Sequence, residues 1–131
     1  MKHLFSKALP IVAICLLASC RHYDEVSFSG TIVGGEFCQS NEIGWLVSLD
    51  SPLDMGDSVR LDNGDTTRYG NVIMAFQSPR QFKVGHHISG TFHIDNNFSK
   101  AHCMRHYTYR DLATGEEISL QEAIFDKVQE D

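Results

Sequence analysis

The sequence predicts a mainly β fold, a small five-stranded barrel with a short C-terminal α-helix. Apolar residues alternate with polar ones over short runs, and glycine or Asn/Asp clusters punctuate those runs. Near the C-terminus the apolar spacing becomes helical instead. The chain has 131 residues and is 42% hydrophobic, which suits one small domain plus a targeting segment.

The first strand is read from Val26, Phe28, Gly30 and Ile32, which share one parity, and Gly34-Gly35 lets it bend. Ile43, Trp45, Val47 and Leu49 form the second strand, which Ser51-Pro52 ends. A polar stretch from Asp54 to Thr67 contains the turn signal Asp62-Asn63-Gly64-Asp65. Tyr69 to Phe76 then reads as a buried third strand closed by Ser78-Pro79. The fourth runs from Val84 to Asp95, with Ile88, Phe92 and Ile94 on one face, and the fifth from His102 to Leu112. Ser119-Leu120-Gln121-Glu122 has the capping-box form. Leu120, Ile124, Phe125 and Val128 after it predict an amphipathic helix over Leu120 to Gln129. The oligonucleotide/oligosaccharide-binding (OB) fold is the commonest barrel of five strands, and a small β-sandwich is its rival here.

Lys2 and Lys7 precede an apolar stretch from Ala8 to Ala18, too short to span a bilayer, which takes about 20 residues. This is the pattern of a signal peptide. It ends Leu17-Ala18-Ser19-Cys20, which resembles the bacterial lipobox. The resemblance implies cleavage before Cys20 and acylation of its sulfur and amine, so that the chain is anchored to a membrane without crossing it. The expected organisation is a signal peptide at 1–19, a tether at 20–27 and one domain over 28–131. Arg21 stands where an Asp would signal inner-membrane retention, so the resemblance leans towards the outer membrane; the periplasmic and surface faces both stay open.

Removing residues 1–19 leaves 9 basic and 17 acidic groups, net −8, a balance that repels phosphate backbones and argues against nucleic acid as a partner. The two cysteines that remain besides Cys20, Cys38 and Cys103, lie in an oxidising compartment on this reading, and a disulfide between them is expected. Its loop of about 66 residues corresponds to roughly 4 kcal/mol of stabilisation on chain-entropy grounds.

Lipobox, Gly30-Thr31-Ile32-Val33-Gly34-Gly35-Glu36-Phe37-Cys38, Gly44-Trp45-Leu46-Val47 and Phe76-Gln77-Ser78-Pro79 follow one another in this order. The order resembles that of small uncharacterised envelope lipoproteins of Bacteroidota with an OB-like barrel. The resemblance covers most of the mature chain and implies a fold and a location, but no activity.

Histidine is the most suggestive residue type. His87 and His93 share one face of the fourth strand, opposite Ile88 and Phe92, and His102 and His106 share a face of the fifth. A hairpin about Phe98 would set His93 opposite His102, close enough to share a metal ion, although no complete ligand set is spelled out. A solvated polar face explains the same residues, and no cofactor is expected. The acidic residues between Asp50 and Asp65 lack the order of a calcium-binding loop. Asp57-Ser58-Val59 and Asp65-Thr66-Thr67 resemble O-glycan attachment sites of Bacteroidota, which makes Ser58 and Thr66 candidates for modification. Trp45, Phe82 and Phe98 are candidate ligand-binding aromatics, with core packing as the competing use.

No nucleophile elbow, phosphate loop, zinc-protease helix or dinucleotide fingerprint occurs, and the chain is read as non-catalytic. The expected function is that of a monomeric, membrane-anchored envelope lipoprotein that binds a protein partner or a glycan. The alternatives are a structural accessory subunit of an envelope complex and a metal-binding protein using the histidine face.

Overall fold

A computed structural model describes residues 24–51, 56–63, 65–98, 103 and 107–131; of residues 40, 61–63 and 65–67 only the backbone is described. Cys20 and the predicted signal peptide lie outside these residues. The architecture is mainly β. Seven strands form one sheet: β1 (Val26–Phe37), β2 (Ile43–Leu49), β3 (Asp57–Asn63), β4 (Asp65–Phe76), β5 (His87–His93), β6 (Thr108–Asp111) and β7 (Glu122–Glu130).

The sheet order is β2-β1-β5-β7-β4-β3-β6, and β2 also pairs with β4. Hydrogen-bonded neighbours therefore return to their start through β1, β2, β4, β7 and β5. Every pair in this ring is antiparallel except β4 with β7, which is parallel and joins Met74 to Glu122 and Phe76 to Ile124. β3 and β6 extend the sheet beyond β4.

Pairing on both sides gives β2 and β4 their character. One core cluster takes side chains from all five ring strands: Phe28 and Ile32, Trp45 and Val47, Ile73 and Ala75, Ile88 and Phe92, Ala123 and Phe125. A second covers the opposite face of β2 and β4, where Leu46, Val72, Met74 and Phe76 meet Val59 of β3, Tyr109 of β6 and Leu120. With both faces covered, Gly44 to Val47 and Val72 to Phe76 are buried without interruption. A continuous apolar run such as Val-Ile-Met-Ala-Phe is the sequence form that such a strand takes.

Two expectations are corrected. The predicted C-terminal helix is a strand, β7, lying between β5 and β4. As a helix, residues 120–129 would leave backbone groups of β5 and β4 without partners; as a strand they satisfy both edges. They also deliver Ala123 and Phe125 to the ring interior, where Phe125 stands 5.9 Å from Phe28 and 6.0 Å from Phe82. The described residues form seven strands instead of five, because β7 is added and the polar stretch after Ser51 contains β3. That strand offers Val59 to the second cluster and Ser58 to solvent, a half-buried alternation too polar to stand out in the sequence.

The predicted turn lies where expected, since Asn63 is aligned with Asp65 across the β3–β4 hairpin. Cys38 and Cys103 are joined by a disulfide, which fastens Cys103 and, through it, the β5–β6 connection to the end of β1. Strand β1 begins at Val26, inside the segment read as tether.

Candidate functional site

Trp45 positions the main candidate. It lies on β2, aligned with Gly35 on one side and Ala75 on the other, and its ring meets Phe82 edge-on at 5.3 Å. The indole is 7% exposed and Phe82 is 6% exposed, so both aromatics serve the core first. The little of Trp45 that reaches the surface opens into a groove of about 250 Å³.

The groove lies between the β1–β2 turn, which supplies Asn41, Glu42 and Ile43, and the start of the β4–β5 connection, Gln77 to Gln81. Both walls are built from unusual backbone. Asn41 has φ 59° and Gln77 has φ 60°, left-handed conformations that cost a non-glycine residue about 1 kcal/mol or more. Ser78 caps its own turn, its hydroxyl donating to the Arg80 carbonyl at 2.6 Å and accepting from the Arg80 amide at 3.2 Å. The exposed Arg80 sits on the same wall, across from Glu42. The result is an aromatic edge ringed by amide, hydroxyl, carboxylate and guanidinium groups, a set that can bond hydroxyls and amides while an apolar face rests on Trp45.

A second, more acidic hollow of about 530 Å³ is lined by Asp57, Asp95, Phe98, Leu120 and Glu122, among others. Burial, and after it the neighbouring Asp111 carboxylate, push the Asp57 carboxyl above the usual carboxylate range. Phe98 edges this hollow, but its ring packs on Phe76 at 5.2 Å as part of the cover over β4. Trp45, Phe82 and Phe98 thus occupy two different places.

The histidines divide likewise. The β5 parity is as expected, with His87 and His93 on one face and Ile88 and Phe92 buried on the other. The hairpin register is not: β5 lies between β1 and β7, β6 pairs with β3, and His93 is aligned with Ile124. His102 lies outside the described residues. His93 Nδ1 meets Asp126 Oδ1 at 2.7 Å in a largely buried pair. Among the described residues no cluster of three His, Cys, Asp or Glu side chains could hold a metal ion. Ser58 is exposed on β3, and the side chain of Thr66 is outside the description.

Sequence reasoning missed the best-organised polar cluster. His87 Nε2 lies 2.6 Å from Asp50 Oδ2, and His87 Nδ1 lies 2.7 Å from Asp131 Oδ2. Ser29 donates to Asp50, and the Ser89 hydroxyl donates to Asp131 Oδ1 at 3.0 Å. Both hydroxyls are turned to carboxylates and both ring nitrogens are engaged, so His87 is not poised as a base for either serine. Its partners are 37 and 44 residues away in sequence, and only the β1–β5–β7 topology brings them together. No protein-family model, curated protein or solved structure matches the chain.

Proposed function

We propose that the chain is a lipid-anchored, non-catalytic protein of the bacterial envelope, of the outer membrane by its sequence signals, that binds a glycan through the groove beside Trp45. The domain is read as an OB-like barrel. The ring order β1-β2-β4-β7-β5, with its single parallel pair, supports that reading, as do the β1–β2 turn and the loops around it, which are where such barrels take oligosaccharides. The sheet face over β2 and β4, the other surface such barrels use, is occupied here by Phe98, Tyr107, Tyr109 and Leu120. The groove is what remains, and it is the observation that carries the proposal. A protein partner inserting a polar side chain into the same groove is the competing occupant.

Trp45 is the only tryptophan in the chain, so its fluorescence reports on the groove alone. Titration with envelope-derived oligosaccharides is expected to shift the emission, and Arg80→Ala with Gln77→Ala is expected to weaken the response at least tenfold while leaving the melting temperature within about 2 °C. An emission spectrum unchanged across the glycans would overturn the glycan reading and leave a protein as the occupant of the groove. The anchor is tested separately: intact mass from native membranes should report cleavage before Cys20 with acylation, and Cys20→Ala should release the chain from the membrane fraction.

A further inference from the structure

The end of β2, the start of β5 and the residue that follows β7 meet at His87, away from the groove. A neutral imidazole has one N–H and one lone pair. Carboxylate oxygens at 2.6 and 2.7 Å from the two ring nitrogens are both satisfied only when the ring carries two protons. Neither carboxylate has another cation, since among the described residues no lysine or arginine is bonded to Asp50 or Asp131.

Asp50 also stands at the rim of something. Its chain neighbours Leu49 and Ser51 line a cavity of about 220 Å³ together with Ser27, Phe28 and Ser29, over the apolar interior of the ring. The Asp50 amide donates to the Ser29 carbonyl at 2.9 Å, and the Asp131 amide donates to the His87 carbonyl at 3.0 Å. Each tethered segment is thus held by one backbone bond, one bond from a serine hydroxyl and one bond to the ring.

We infer that His87 is a proton-operated clasp: the doubly protonated ring holds the Asp50 rim of the cavity and the end of β7 against β5, and loss of one proton frees one of them. The groups around the ring are Asp50 just after β2, Asp131 after β7, Ser89 from β5 and Ser29 and Thr31 from β1. His86, beside it in the chain, engages Glu130 at 3.3 Å instead.

The charge balance agrees with the geometry. The hydrogen bonds to Asp50 and then to Asp131 hold His87 above its ordinary value, and the bond from His87, with that from Ser29, holds Asp50 below the usual carboxylate range. The His87 contribution is therefore complete below the ordinary histidine value and is lost as pH rises through the raised one. The Asp50 contribution is complete above the ordinary carboxylate value and is lost as pH falls through the lowered one. The clasp is closed between these limits and opens on the alkaline side.

Nitrogen-15 NMR on the full chain tests this. Both His87 ring nitrogens should carry protons below the ordinary histidine value, and the ring should titrate above an ordinary histidine. Protection of the Asp50 and Asp131 amides against hydrogen exchange should fall about two- to five-fold through that titration, the range of an exposed ion pair. The Val47 amide should not change. His87→Gln should flatten the response, and Asp50→Asn should lower the His87 titration without unfolding an exposed site. A His87 ring that titrates at or below an ordinary histidine, or protection that stays level while His87 titrates, would overturn the clasp.

Discussion

Gly90 lies where β5 comes nearest to β7. A methyl group there would run into the Lys127 carbonyl, which belongs to the backbone and cannot turn aside. Gly90→Ala should therefore lower stability by about 3 kcal/mol, read from the urea midpoint. Glu36 presents the opposite case. It is buried on β1, 3% exposed, and its Oε1 has no hydrogen-bond partner among the described residues. A carboxylate buried without full hydrogen bonding is a cost that an apolar side chain of similar volume removes. Glu36→Met is expected to raise stability by about 1–2 kcal/mol, seen as a higher melting temperature. At this scale the sequence is legible where a residue's role depends on parity, as for His87 and His93. It is illegible where the role depends on a distant partner, as for His87 with Asp131, or on the absence of one, as for Glu36.

Among the elements, β7 best shows why local pattern can mislead. Leu120, Ile124, Phe125 and Val128 fit a helical face, and Ser119 with Glu122 fits its cap. What decides the outcome is the pair of open edges on β5 and β4, which lies outside any local window. Phe125→Ala should cost about 3–5 kcal/mol, because the ring it removes stands among Phe28, Phe82 and Phe92 in the interior. β1, β2 and the second half of β4 are readable directly, since alternation and a continuous apolar run each have one common explanation. β3 is not, because Val59, which it gives to the second cluster, stands in the sequence among Asp57, Ser58, Arg60 and Asp62.

For the whole molecule, two apolar clusters share β2 and β4 as a common wall. The disulfide lies at the edge of the second cluster, where Cys38 and Cys103 pack with Phe98 and Tyr107. Replacing both cysteines with serine should lower stability by about 4 kcal/mol through the long loop they close, measured by comparing urea midpoints with the parent chain. The bridge was foreseeable because Cys38 and Cys103 are the only cysteines after residue 20; the cover it fastens was not, since the apolar run Val72 to Phe76 says that both faces of β4 are hidden but not which residues hide the outer one.

The position of β7 between two strands made long before it has a consequence for the order in which the chain is built. A polypeptide emerging from its amino end exposes the bare edges of β4 and β5 until residues 122–130 follow. Until then those edges are open to strands of other copies. If the chain is exported unfolded, as the proposed signal peptide implies, this delay is an advantage: the ring cannot shut on the wrong side of the membrane while its final strand is still unmade.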